Sequence, residues 1–140
     1  MLESLFSAAG AVAAVGWLLL VFLPRHPVAR LIAGVAVPLV LSVGYLVLIV
    51  TSMPGAEGGF GSLADVARLF STPALLLAGW VHYLAFDLFI GAWETRDAAA
   101  CGVPHAWVVP CLLMTFLLGP IGLLAYLAVR ALRVRSLELE

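Results

Sequence analysis

The chain has 140 residues, 64% of them hydrophobic and 11% charged, with a formal net charge of -1, and its mean hydropathy is +1.16. A soluble domain is usually about half apolar and about a quarter charged, so a soluble fold of this size is excluded and lipid must solvate the remainder. The near-neutral balance argues for no nucleic-acid partner and no acidic substrate, and the size allows one domain, residues 1–140.

A spanning helix needs about 20 consecutive apolar residues, and four runs reach that length. The first covers about residues 5–23. Glu3 and no arginine precede it, whereas a signal peptide carries positive charge ahead of its apolar region, so the run reads as a retained helix. Its Ala9, Ala13, Gly16 and Trp17 suit close packing, with Trp17 near an interface. Pro24-Arg25-His26-Pro27 closes it. The second run, about residues 28–50, carries Gly34, Pro38, Ser42 and Tyr45, with Arg30 near its end and able to snorkel. Thr51-Ser52-Met53-Pro54-Gly55 ends it.

Gly58-Gly59-Phe60-Gly61 is a flexible breaker. Ser62 and Asp65 then resemble a capping box, and Leu63, Val66, Ala67 and Phe70 recur at helical spacing, which predicts a short amphipathic helix at the membrane surface. The third run covers about residues 73–93, with Thr72 as N-cap and Pro73 at the first helical position. The fourth covers about residues 105–129, followed by Arg130, Arg133 and Arg135; the terminal Leu137-Glu138-Leu139-Glu140 carries no functional reading. The expected fold is all-α, an integral membrane four-helix bundle with a short amphipathic interfacial helix between helices 2 and 3. An even number of spans puts both termini on one side, with Arg68, Arg130, Arg133 and Arg135, against Arg25, Arg30 and Arg96 on the other. The positive-inside rule then points to cytoplasmic termini in a bacterial inner membrane.

An ionisable group inside a spanning helix is costly and faces the bundle interior or a wet cavity. The third helix holds two such groups, His82 and Asp87. At about 100° per residue, Trp80, Tyr83, Asp87, Gly91 and Glu94 fall on one stripe, and His82 lies about 140° from Asp87. His82 and Asp87 therefore meet different neighbours or line a broad cavity. Asp87 is either a carboxylate that locks helices together or a group with chemistry to do. Glu94 and Arg96 read as a solvated helix end. Asp97, His105 and His26 fall on one side of the membrane and form an expected polar mouth; a metal site there is the minor alternative, without ligand spacing of a known type.

In the fourth helix, Pro110 and Pro120 each free a carbonyl one turn earlier and bend the helix. Cys111, Thr115, Gly119, Gly122 and Tyr126 form a small-and-polar stripe, read as helix packing or as a ligand groove floored by glycine. Cys101 and Cys111 suggest neither a disulfide framework nor a zinc ribbon. Gly-x-Ser-x-Gly, a phosphate loop, His-Glu-x-x-His and Cys-x-x-Cys are absent from the sequence, so no cofactor and no metal is expected.

The ordered string Trp80, His82, Asp87-Leu88-Phe89, Gly91, Trp93, Asp97, Pro104-His105, Pro110-Cys111-Leu112 and Gly119-Pro120-Ile121-Gly122-Leu123-Leu124-Ala125-Tyr126 resembles the membrane family typified by plant neoxanthin synthase, of the abscisic-acid-deficient type. The chain looks like a small bacterial-type member. The resemblance covers most of the second half; the first half is similar only in being two helices. It implies carotenoid or isoprenoid chemistry in a membrane, an epoxide-to-allene isomerisation by acid and base. On that reading Asp87 is the base, and His82 or Tyr83 donates a proton to the opening epoxide oxygen. Trp80, Phe86, Gly91, Trp93, Thr115, Gly119, Gly122 and Tyr126 would bind the substrate, a carotenoid or other hydrophobic polyene reached through membrane lipid. A homo-oligomer is a further expectation. The alternative is a pigment- or lipid-binding subunit without chemistry, its polyene lying against Trp80, Tyr83, Phe86, Phe89 and Trp93; a small transporter or channel is a third reading.

Overall fold

The computed structural model describes residues 1–134; Arg135 and the terminal Leu137-Glu138-Leu139-Glu140 lie outside the described residues. Among the described residues there is no strand. Six helices follow one another: α1 Leu2–Phe22, α2 Pro27–Ser52, α3 Leu63–Leu69, α4 Pro73–Ala100, α5 His105–Leu118 and α6 Pro120–Val134. Helices α1, α2 and α4 are long and apolar enough to cross a membrane, and the protein is a membrane protein.

Helix α4 is central. It packs against α2 on one side and against α1 and α5 on another. Pro38 of α2 has no N–H to offer the carbonyl one turn earlier, and the chain widens into a π turn over Ile32–Ala36 just before it. A Cβ added at Gly34, inside that turn, would lie 3.3 Å from the Ala92 Cβ, so glycine sets how closely α2 approaches α4. Towards α1, a Cβ added at Gly91 would lie 2.6 Å from the Trp17 ring. Trp17 is buried. It fills the slot left by Gly91 inside the bundle, beside Leu20, instead of anchoring at an interface, because glycine leaves room for an indole. Gly91→Ala is expected to cost about 1–3 kcal/mol by overpacking, measured as a lower unfolding midpoint in detergent; an unchanged midpoint would show that Trp17 has room to shift.

Before α4 the capping box forms as expected. Ser62 Oγ accepts the Asp65 N–H at 3.1 Å and donates to Asp65 Oδ2 at 2.7 Å. Helix α4 starts at Pro73 as predicted, although the Thr72 hydroxyl makes no capping bond, and it continues past residue 93 to Ala100.

The fourth hydrophobic run is not one helix. Gly119 has φ +53, a conformation that breaks the helix and suits glycine, and Pro120 starts a new one. The chain reverses there. The Arg133 guanidinium lies 4.5 Å from the centre of the Trp107 ring, whereas on one straight helix those residues would be about 39 Å apart. Helices α5 and α6 are thus an antiparallel hairpin. The 14 residues of α5 reach about 21 Å, short of a hydrocarbon core of about 30 Å. Three helices of spanning length and a short antiparallel hairpin stand where four spanning helices were expected.

The hairpin returns to the end from which it started. Arg130 of α6 bonds Asp97, near the end of α4, while Leu2 and Glu3 share a cavity with Pro73, at its beginning. Residues 2 and 134 therefore lie at opposite ends of the bundle, and the expectation that an even count of spans brings the termini together does not hold for the described residues.

Candidate functional site

The polar residues of α4 meet the hairpin in two layers. The outer layer is near the end of α4. Asp97, 8% exposed, accepts hydrogen bonds from the Tyr126 hydroxyl and from Arg130 Nε, the latter at 2.7 Å. Below it, Glu94 is 0% exposed, and its Oε1 accepts from the Thr115 hydroxyl at 2.9 Å while Oε2 has no hydrogen-bond partner. Glu94 is therefore a buried carboxyl and not the solvated helix end expected of it, because α4 continues beyond it to Ala100 and the hairpin covers it. Arg96 is exposed, as expected.

The inner layer lies at the hairpin tip, midway along α4. Pro120 removes the N–H that would have served the Phe116 carbonyl, and a helix end leaves its last carbonyls unbonded in any case. The Tyr83 hydroxyl donates to that carbonyl at 3.0 Å. Irregular backbone at membrane depth needs its freed polar groups satisfied, and the Tyr83 hydroxyl satisfies this carbonyl. One turn further along, Asp87 abuts the reversal: a Cβ added at Gly119 would lie 3.2 Å from Oδ1 and 3.3 Å from Oδ2. Glycine at 119 thus serves both the turn and the carboxylate. Asp87 also stands beside the first residues of α6, where the helix dipole favours negative charge, and its Oδ2 has no hydrogen-bond partner.

Because the hairpin stops half-way, the lower half of the α1–α4 face is left open. A cavity of about 680 Å³ occupies it, lined among others by Leu2, Phe6, Phe70, Leu76, Trp80 and Tyr83. Ligand pockets commonly measure about 300–1,000 Å³ and are mostly apolar with a few placed polar groups. Trp80 stacks on Tyr83 at 5.3 Å and meets Phe6 at 5.5 Å. A second apolar groove of about 330 Å³ follows α1 upward, between Trp17, Leu18, Val21 and Phe22 and the hairpin residues Leu112 and Phe116.

The structure separates several residues that the sequence grouped. His82 is exposed and turned towards α2, 4.6 Å from the Phe86 ring and 5.7 Å from the Tyr45 ring. Phe86 and Phe89 line a different cavity with Pro38 and Ser42, and Trp93 packs edge-on against Tyr126. The five aromatics expected to line one groove thus occupy three places. Thr115 and Tyr126 are engaged by Glu94 and Asp97, Gly91 by Trp17, and Gly122 packs directly on Thr115, so these two glycines make helix contacts. The polar mouth is likewise not one cluster: the His105 ring bonds the Val21 carbonyl at 2.9 Å while Asp97 faces Tyr126 and Arg130. Among the described residues no three His, Cys, Asp or Glu side chains gather in a metal-binding group.

Three helices of spanning length, a half-depth hairpin and acids buried on the central helix define a helical integral membrane protein with an intramembrane polar site. The family model described as ABA DEFICIENT 4-like matches residues 4–126, and the chain belongs to that neoxanthin synthase-related family. The match takes in α1 and α2 as well as the second half, and it ends at Tyr126, the hydroxyl that bonds Asp97. No curated protein and no solved structure matches the chain.

Proposed function

We propose that the protein isomerises an end group of a carotenoid or related isoprenoid by paired acid and base chemistry, with Asp87 as base and Tyr83 as acid. One observation carries this reading: Tyr83 lines the apolar cavity of about 680 Å³, and Asp87 stands one helical turn beyond it, against the hairpin tip. An epoxide-bearing ring would enter the cavity beside Trp80 and Phe6. The Asp87 carboxylate takes the proton from the polyene carbon next to the ring. The C–H electron pair becomes a new C=C bond, the C–O bond breaks with its pair on oxygen, and the Tyr83 hydroxyl protonates that oxygen. The proton held by Asp87 then returns to Tyr83, so the reaction consumes no oxidant, reductant or cofactor. Water exclusion by the apolar walls strengthens each of these interactions.

His82 is the weaker acid candidate, since its ring lies on the α2 face with Phe86. In a carotenoid-producing host, Tyr83→Phe is expected to reduce product on the order of 10²-fold, and His82→Gln to leave it near wild type. Chromatography of the pigments checks both, and the reverse pattern would transfer the acid role to His82.

A second reading is a pigment- or lipid-binding subunit without chemistry. The observation in its favour is that two apolar grooves follow α1, one against Leu2 and Phe6 and the other from Ala14 to Phe22, with Tyr83 lining the first bonded to Phe116 lining the second. That shape suits an extended polyene. Pigment that co-purifies unchanged, in a host whose pigment profile does not alter, would establish it.

A further inference from the structure

The hairpin changes how the arginines distribute. Counted on four spans, they divide almost evenly. With α6 returned to the end where α4 finishes, Arg25, Arg30, Arg96 and Arg133 all lie at that end, even with Arg130 set aside because it is buried on Asp97. Arg30 Nε bonds the Pro24 carbonyl at 2.7 Å and Arg133 sits over Trp107, so both are held by the ends of the helices. The opposite end carries Arg68 alone among the described arginines, together with Glu3, Glu57 and Asp65. Arginines in short loops close to spanning helices stay on the side where the chain is made, and anionic head groups of that leaflet hold them there.

We infer that the protein inserts with the arginine-bearing end on the cytoplasmic side and the N-terminus on the other, so that the large cavity opens towards the non-cytoplasmic leaflet. The orientation is the opposite of the one that the even count of spans implied. The cavity residues nearest the surface are Leu2, Glu3, Phe70 and Pro73, all at the arginine-poor end. On the proposed function, the polyene end group therefore enters from the outer leaflet and meets Tyr83 and Asp87 at mid-depth, beneath a hairpin that closes the cytoplasmic half.

The test is cysteine accessibility to a membrane-impermeant maleimide, in a background with Cys101→Ala and Cys111→Ala, in the inner membrane of a bacterial host. Single cysteines replace exposed residues: Glu57→Cys at the cavity end, Ala99→Cys at the arginine end, and Leu132→Cys on α6. Spheroplasts are expected to label Glu57→Cys and neither of the others; inverted vesicles are expected to label Ala99→Cys and Leu132→Cys and not Glu57→Cys. Labelling of Ala99→Cys on spheroplasts would overturn the orientation. Labelling of Leu132→Cys on the same side as Glu57→Cys would overturn the returning hairpin. None of these readouts needs turnover, so an inactive protein with the expected labels sinks the proposed chemistry and leaves the orientation standing.

Discussion

Asp87→Asn is expected, on the proposed function, to lower formation of a carotenoid isomer by roughly 10²–10⁴-fold, the usual share of a positioned general base, with little change in stability. The carboxylate has an oxygen without a hydrogen-bond partner, so the substitution breaks no bond made through Oδ2. Asn has the same shape and fits beside Gly119 as Asp does. What it loses is the ability to accept a proton at mid-membrane depth. The measurement is pigment chromatography of a carotenoid-producing host carrying wild type or variant, with the detergent unfolding midpoint of each purified protein beside it. Full activity in the variant would remove Asp87 as the base. Equal pigment bound to both proteins, with no new isomer from either, would favour the binding reading. A large fall in the midpoint would instead make Asp87 a helix lock.

Why the sequence discloses some of this and not the rest is a matter of which physical signal each feature leaves. Three spanning helices, the Ser62–Asp65 capping box and the Pro73 start follow from local composition, and the structure has all of them. The stripe of Tyr83, Asp87, Gly91 and Glu94 follows from helical geometry, and those residues do share the face towards α1 and the hairpin. The separation of His82 from that face follows in the same way. The reversal at Gly119 does not, because hydropathy runs unbroken from Val108 to Val129 and carries no information about direction. Gly119-Pro120-Ile121-Gly122 was the available signal, and a bend and a reversal leave the same letters. Glu94 reads as solvated because of its neighbours: Arg96 and Asp97 make the stretch look like a helix end, although helical geometry puts Glu94 on the inward stripe. Trp17 resembles an interfacial anchor until Gly91, on another helix, is brought under it.

Asp97→Ala is expected to destabilise the protein by about 3–5 kcal/mol, the range for removing one partner of a buried ion pair. The substitution removes the carboxylate that accepts from both the Tyr126 hydroxyl and Arg130 Nε, inside the buried contact between α4 and the returning helix. The measurement is the unfolding midpoint in detergent. The double variant Asp97→Ala/Arg130→Met should recover part of the loss, since it also removes the buried cation that faced the carboxylate; equal loss in single and double variants would show that the ion pair is not what holds α6. The clamp and the inner layer are mechanically one unit. Arg130 and Tyr126 fix the far end of the helix whose first turn puts Gly119 against Asp87, so loosening the clamp frees the hairpin tip and the Phe116 carbonyl that orients Tyr83. Product should therefore fall in Asp97→Ala together with the unfolding midpoint and recover with it in the double variant, whereas in Asp87→Asn product falls while the midpoint holds. That contrast separates a residue that positions the site from one that acts in it.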